Sequence, residues 1–218
     1  MAIDVGASAI ATSIAASQAT SPISTQPSGS SFLIYLIYSG ATFTSIVDNK
    51  GNTYSQVGAE FDVGANSQGR LYLKENGVGG SGHTATLTQS SSDYLLLALI
   101  EITGGKLSGL VDQQAGQNDT SSPFTSPPIT PTEAQELLLG FMGDASTNVS
   151  NHTHGNSFTS VVAANDGTFW VASVSKRLVS SIAAYNTSVT ISGNGTANHN
   201  MIVSLKQASG GLLGASCL

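Results

Sequence analysis

The chain has 218 residues, of which 40% are hydrophobic and only 9% charged, with a net charge of −6; an ordinary soluble domain carries about a quarter charged residues. Seven Lys and Arg spread over the whole length, with Lys176-Arg177 the one adjacent pair, exclude nucleic acid as an expected partner, because clustered basic groups supply that affinity. A single cysteine, Cys217, excludes an intrachain disulfide and a four-cysteine zinc site.

The first twenty residues are small and mildly apolar, with Asp4 where a secretory leader carries basic residues, so they read as mature protein. No stretch approaches the roughly 20 apolar residues of a membrane-spanning helix, and no membrane insertion is expected. Residues 1–30 are poor in large side chains and read as an N-terminal strand or arm. Residues 31–207 read as one β-sandwich domain, and 208–218 as a flexible tail carrying Leu212, Leu213 and Cys217.

Within the central region, Phe32 to Tyr38 is a continuous apolar run of strand length, the pattern of a strand buried on both faces. Asp48-Asn49-Lys50-Gly51-Asn52 is a tight turn in which short polar side chains bond the backbone and Gly51 takes positive φ. His83 to Thr88 alternates, and Tyr94 to Ile102 is a second apolar run. Pro127-Pro128 and Pro131 mark an edge or irregular crossing. Thr132 to Glu136 supports one helical turn at most, and Glu136 to Met142 is a third apolar strand. Thr168 to Val174, Ser188 to Ser192 and Met201 to Leu205 complete the strand set. The expected class is all-β, an antiparallel, jelly-roll-like sandwich with extended terminal arms.

Several phrases carry a resemblance. Val47 to Tyr54 (VDNKGNTY), Leu71 to Lys74 followed by Gly79 to Thr88, Tyr94 to Gly104, and Thr130 to Phe141 are similar to the strand-and-turn phrases of β-sandwich modules from bacteria and their phages. The likeness spans about residues 30 to 206, and its motifs are structural. It implies a jelly-roll or concanavalin-type sandwich of the kind found on virion surfaces, fibres and secreted multidomain proteins.

Four constellations offer chemistry. His152 and His154, two apart, could share a metal with Asp144 or His199, but Asn-His-Thr-His-Gly-Asn reads as a loop with solvated histidines, and no metal is expected. Glu101, Glu133 and Glu136 lack the aromatic-lined cleft of a glycosidase, and no Gly-x-Ser-x-Gly elbow is present. Asp48, Asn49, Asp112, Asn118 and Asp119 offer oxygens to calcium without an organising spacing. Tyr54, Tyr72, Trp170 and Tyr185 read as core more than as a sugar platform. Trp170 is the expected exposed contact, with Leu212, Leu213 and Cys217 as further interaction residues.

These readings combine into a non-enzymatic, cofactor-free virion protein of a bacteriophage, a decoration, cement or fibre-type subunit assembled in the host cytoplasm. It would contact copies of itself, with a trimer as the expected order, and other virion proteins. The alternative is a carbohydrate-binding or adhesin module at a virion or cell surface.

Overall fold

The computed structural model describes residues 1–64, 66–144, 152–165, 171–191 and 198–209. They contain strands and no helix: β1 (Asp4–Ala19), β2 (Ser30–Ser39), β3 (Phe43–Asp48), β4 (Ser55–Gly64), β5 (Ser67–Gly77), β6 (Ala85–Thr103) and β7 (Val111–Asp119). The chain continues through β8 (Phe124–Thr125), β9 (Glu136–Asp144), β10 (His152–His154), β11 (Thr159–Asn165), β12 (Val171–Val179), β13 (Ser188–Ile191) and β14 (Asn198–Lys206). Thr132 to Gln135 are bends that lead into β9 without helix.

All pairings are antiparallel. A six-stranded sheet runs β1-β6-β2-β5-β4 with β3 added to β6; a five-stranded sheet runs β11-β12-β9-β14-β7; and β10-β13-β8 form a small third sheet. The architecture is that of stacked antiparallel sheets, consistent with a β-sandwich.

The continuous apolar runs find their explanation in this stacking. Leu33, Tyr35 and Ile37 of β2 and Leu137, Leu139 and Phe141 of β9 belong to one core between the two large sheets. The alternate residues of β2, Phe32, Ile34 and Leu36, face a second core that includes Ala85, Leu87 and Ile46. On β9, Leu138 and Met142 face two smaller clusters on the far side of the five-stranded sheet. Each large sheet is therefore covered on both faces where these strands run, and period-two alternation disappears from their sequence.

β6 does the covering on one side. Its 85–89 portion pairs with β3 and with the end of β1, whereas its 93–103 portion pairs with β2 and most of β1. Both halves of the sequence pattern, the alternating segment and the apolar run, are one strand of 19 residues that passes from the main sheet into the layer over it. Its exposed Ser90, Ser91 and Ser92 mark the passage, and β1 follows with a register shift between Ala15 and Ser17. Residues 4–19, expected as a strand or arm, lie in the chain's own sheet as β1.

Candidate functional site

The densest polar centre of the described residues is built on the turn after β3. Asp48 Oδ1 accepts the backbone amides of Lys50 (3.1 Å) and Asn52 (2.9 Å), and Gly51 sits at φ 74°, as the turn chemistry requires. The carboxylate's other oxygen accepts from the Asn52 amide (2.6 Å), the Tyr54 hydroxyl (2.8 Å) and His83 Nε2 (2.9 Å). Both Asp48 and His83 side chains are fully buried. Burial by itself raises the Asp48 pKa; the hydrogen bonds from His83, Asn52 and Tyr54 outweigh it and hold the carboxyl well below the usual carboxylate range.

With Nε2–H donated to the carboxylate, His83 Nδ1 lies 3.3 Å from Thr25 Oγ1, and the ring stands edge-on to Phe32 at 4.7 Å. Thr25, His83 and Asp48 thus line up in the order of a nucleophile relay. Thr25 Oγ1 accepts the Gly80 amide at 2.9 Å, and His83 is wholly enclosed, so the line ties three segments together. Asn49 and Asn52 finish the tie: Asn49 bonds Gly82 and Thr84, and Asn52 bonds the amide and carbonyl of Val78. The two most characteristic phrases of the sequence, 48–54 and 78–84, are halves of one clasp.

The other candidates are likewise occupied. Glu101 takes the Gln26 amide (2.7 Å), the Ser30 hydroxyl (2.8 Å) and the Ala7 amide (3.1 Å), securing the chain before β2 and within β1. Asp112 bonds Thr132 and pairs with Lys206 at 2.8 Å; its carboxyl is held down at about 2, where burial works upward but Lys206 and Thr132 prevail. Glu136 is buried, and burial together with Asp112 pushes its carboxyl up. Glu133 pairs with Lys106. Of the three glutamates read from sequence, Glu101 stands apart, whereas Glu136 Oε1 accepts the Glu133 amide at 3.1 Å.

The oxygens considered for calcium are dispersed in the same way: Asn118 bonds His199 Nδ1 at 2.7 Å, and Asp119 accepts the Thr125 amide at 2.7 Å. Among the described residues no three His, Cys, Asp or Glu side chains form a metal-binding group. Of the aromatics, Tyr54 and Tyr72 pack in the second core and Tyr185 lies under the Arg177 guanidinium at 4.8 Å. Trp170, Leu212, Leu213 and Cys217 lie outside the described residues.

The histidine pair corrects the sequence reading. His152 and His154 are not solvated loop residues; they form β10, paired with Ile191 and Val189 of β13, and both are half-buried. His199 is placed elsewhere, stacked on Phe61 with ring centroids 4.1 Å apart. Burial lowers its pKa to about 4, against a small upward pull from Asp62. It borders an open cleft of about 310 Å³ between β4 and β7, with Glu60, Phe61, Gln114 and Gly116.

Set against family models, curated proteins and solved structures, the chain matches none of them.

Proposed function

We propose that the protein is a non-enzymatic structural subunit of a bacteriophage virion, of decoration, cement or fibre type, with a single jelly-roll-like domain that works through contacts with its own copies and with other virion proteins. The observation that carries this reading is the use made of the few chemically capable side chains. Asp48, His83, Glu101 and Asp112 are each engaged in joining segments that are distant in sequence. A second support is β1, which among the described residues is hydrogen-bonded as a strand only to β6 and holds mainly Ala, Ser and Thr. A long edge without guarding charges is a template for pairing with another chain, and small uncharged groups desolvate at low cost compared with Lys and Glu.

The test is sedimentation and light scattering of the isolated protein, followed by imaging of particles that contain it. Symmetric oligomers, or periodic density on a particle surface, are the expected outcome. A monodisperse monomer that binds a glycan on an array and takes no place on particles would overturn the reading in favour of an adhesin.

A further inference from the structure

The small sheet covers a surface that is half apolar and half unsatisfied. Directly opposed residues in an antiparallel pair share a face. His152 stands opposite Ile191 and His154 opposite Val189, and Val189 and Ile191 pack inward against Phe124, Met142 and Val171. Both histidines therefore point into the layer between the small sheet and the five-stranded sheet, whereas Thr153 and Thr190 point out and are exposed. The facing rungs of the five-stranded sheet are Ser173–Met142–Asn200 and Val171–Asp144–Asn198.

Among the described residues this layer holds buried polar atoms without hydrogen-bond partners: His152 Nε2, both ring nitrogens of His154, Ser173 Oγ, Asn198 Oδ1, and Oδ1 and Nδ2 of Asn200. Buried polar groups are nearly always bonded, and an unsatisfied cluster marks a place of low local stability. The attachment of β10 is also slight. It has three residues and, among the described residues, pairs on one side only, with β13.

We propose that the β10-β13-β8 sheet is an acid-released cap, in which protonation of His152 and His154 detaches β10 and uncovers the Asn198–Asn200–Ser173 face of the five-stranded sheet.

Apart from Asp144, an imidazolium in this layer meets mainly apolar and amide groups. β13 and β8 present Val189, Ile191 and Phe124; β12 presents Val171 and Ser173; β14 presents Asn198 and Asn200. The acidic groups on the facing sheet are Asp144 of β9 and Asp119 of β7, and Asp119 is engaged by Thr125 and Gln117. Arg177, further along the same face of β12, is held over Tyr185. Segments 145–151, 166–170 and 192–197 contain one charged residue, Asp166, which lies outside the described residues. Burial lowers the pKa of both histidines, His152 to about 4 with the charge of His154 as a second cause. Below the ordinary histidine range, about 6.5, the opened state binds protons that the closed state resists, so the closed state loses ground as pH falls from there toward 4.

The proposal does not depend on the virion reading, and its test is separate. Hydrogen exchange of the full chain is measured at about pH 7.5 and about pH 5, corrected for intrinsic rates. Amides of β10 and β13 are expected to lose protection at least about tenfold on acidification, while β2 and β9 keep theirs. In the double variant His152→Gln, His154→Gln the difference between the two pH values should vanish. Protection of β10 unchanged at acid pH, or a loss that persists in the double variant, overturns the proposal. Should the double variant not fold, imidazole titration of the native chain by NMR decides. Both histidines must titrate below their ordinary range together with the loss of β10 amide protection, and titration at ordinary values without that loss overturns it.

Discussion

Replacing Asp48 with alanine removes the acceptor on which the clasp converges. The substitution leaves the fully enclosed His83 Nε2 without its acceptor and takes the carboxylate from the half-buried Tyr54 hydroxyl, and it releases the amides of Lys50 and Asn52. Asn52 Nδ2 retains the Val78 carbonyl, and the turn amides can turn to water, so the cost falls on His83 Nε2 and the Tyr54 hydroxyl. At about 1–3 kcal/mol for each unsatisfied buried group, Asp48→Ala should destabilise the fold by about 4 kcal/mol. With a urea dependence of about 2–3 kcal/mol per molar, the unfolding midpoint should drop by about 1.3–2 M. Asn49→Ala, which loses two exposed backbone contacts, should shift it by less than about 0.5 M. Because the Asp48 carboxyl is held low in the folded state, its contribution is complete above the ordinary carboxylate range and is lost only as pH falls through the lower folded value. The deficit of the variant should therefore stay constant from neutral pH down to about pH 4. A midpoint shift for Asp48→Ala no larger than that of Asn49→Ala would refute the clasp as a source of stability.

Tyr35→Phe should stabilise the protein by about 1 kcal/mol, since the hydroxyl is fully buried without a partner; calorimetry showing a lower melting temperature would contradict this. Glu136→Gln should leave stability at pH 7 unchanged or higher, because burial and Asp112 raise the folded pKa of the carboxyl. A raised group contributes its stability below its unfolded pKa and loses it as pH rises, so the advantage of the variant should grow between about pH 4 and pH 7. Urea midpoints with the opposite trend would rule the coupling out.

The runs at Phe32–Tyr38 and Glu136–Met142 were legible as doubly buried strands because nothing but cover on both faces tolerates so many apolar residues in succession. The turn at Asp48 was equally legible, since its chemistry is local. Its closure by His83 was not: the partner lies 35 residues away, and a histidine at the start of an alternating strand gives no sign of the carboxylate it will meet. The phrase Gly79 to Thr88, read beside 48–54, held the only hint. β6 escaped for a related reason. Ser90-Ser91-Ser92 has the composition of a turn, and only the pairing of both halves with β1 keeps the strand intact through it. Asn151 to Asn156 misled in the opposite direction. Its polar, glycine-containing sequence indicates a loop, yet register with Ser188 to Ile191 makes His152–His154 a strand and turns its histidines inward.

The long union of β1 with β6 has a mechanical meaning. The two strands run antiparallel along nearly their whole length, and β6 is at once a strand of the main sheet and of the layer above it. A pull along the axis of β1 loads its many rungs side by side, in shear, and they must yield together. A pull across the strand opens them one at a time. Tension entering the molecule along β1 is spread through β6 into two layers before any single contact can fail.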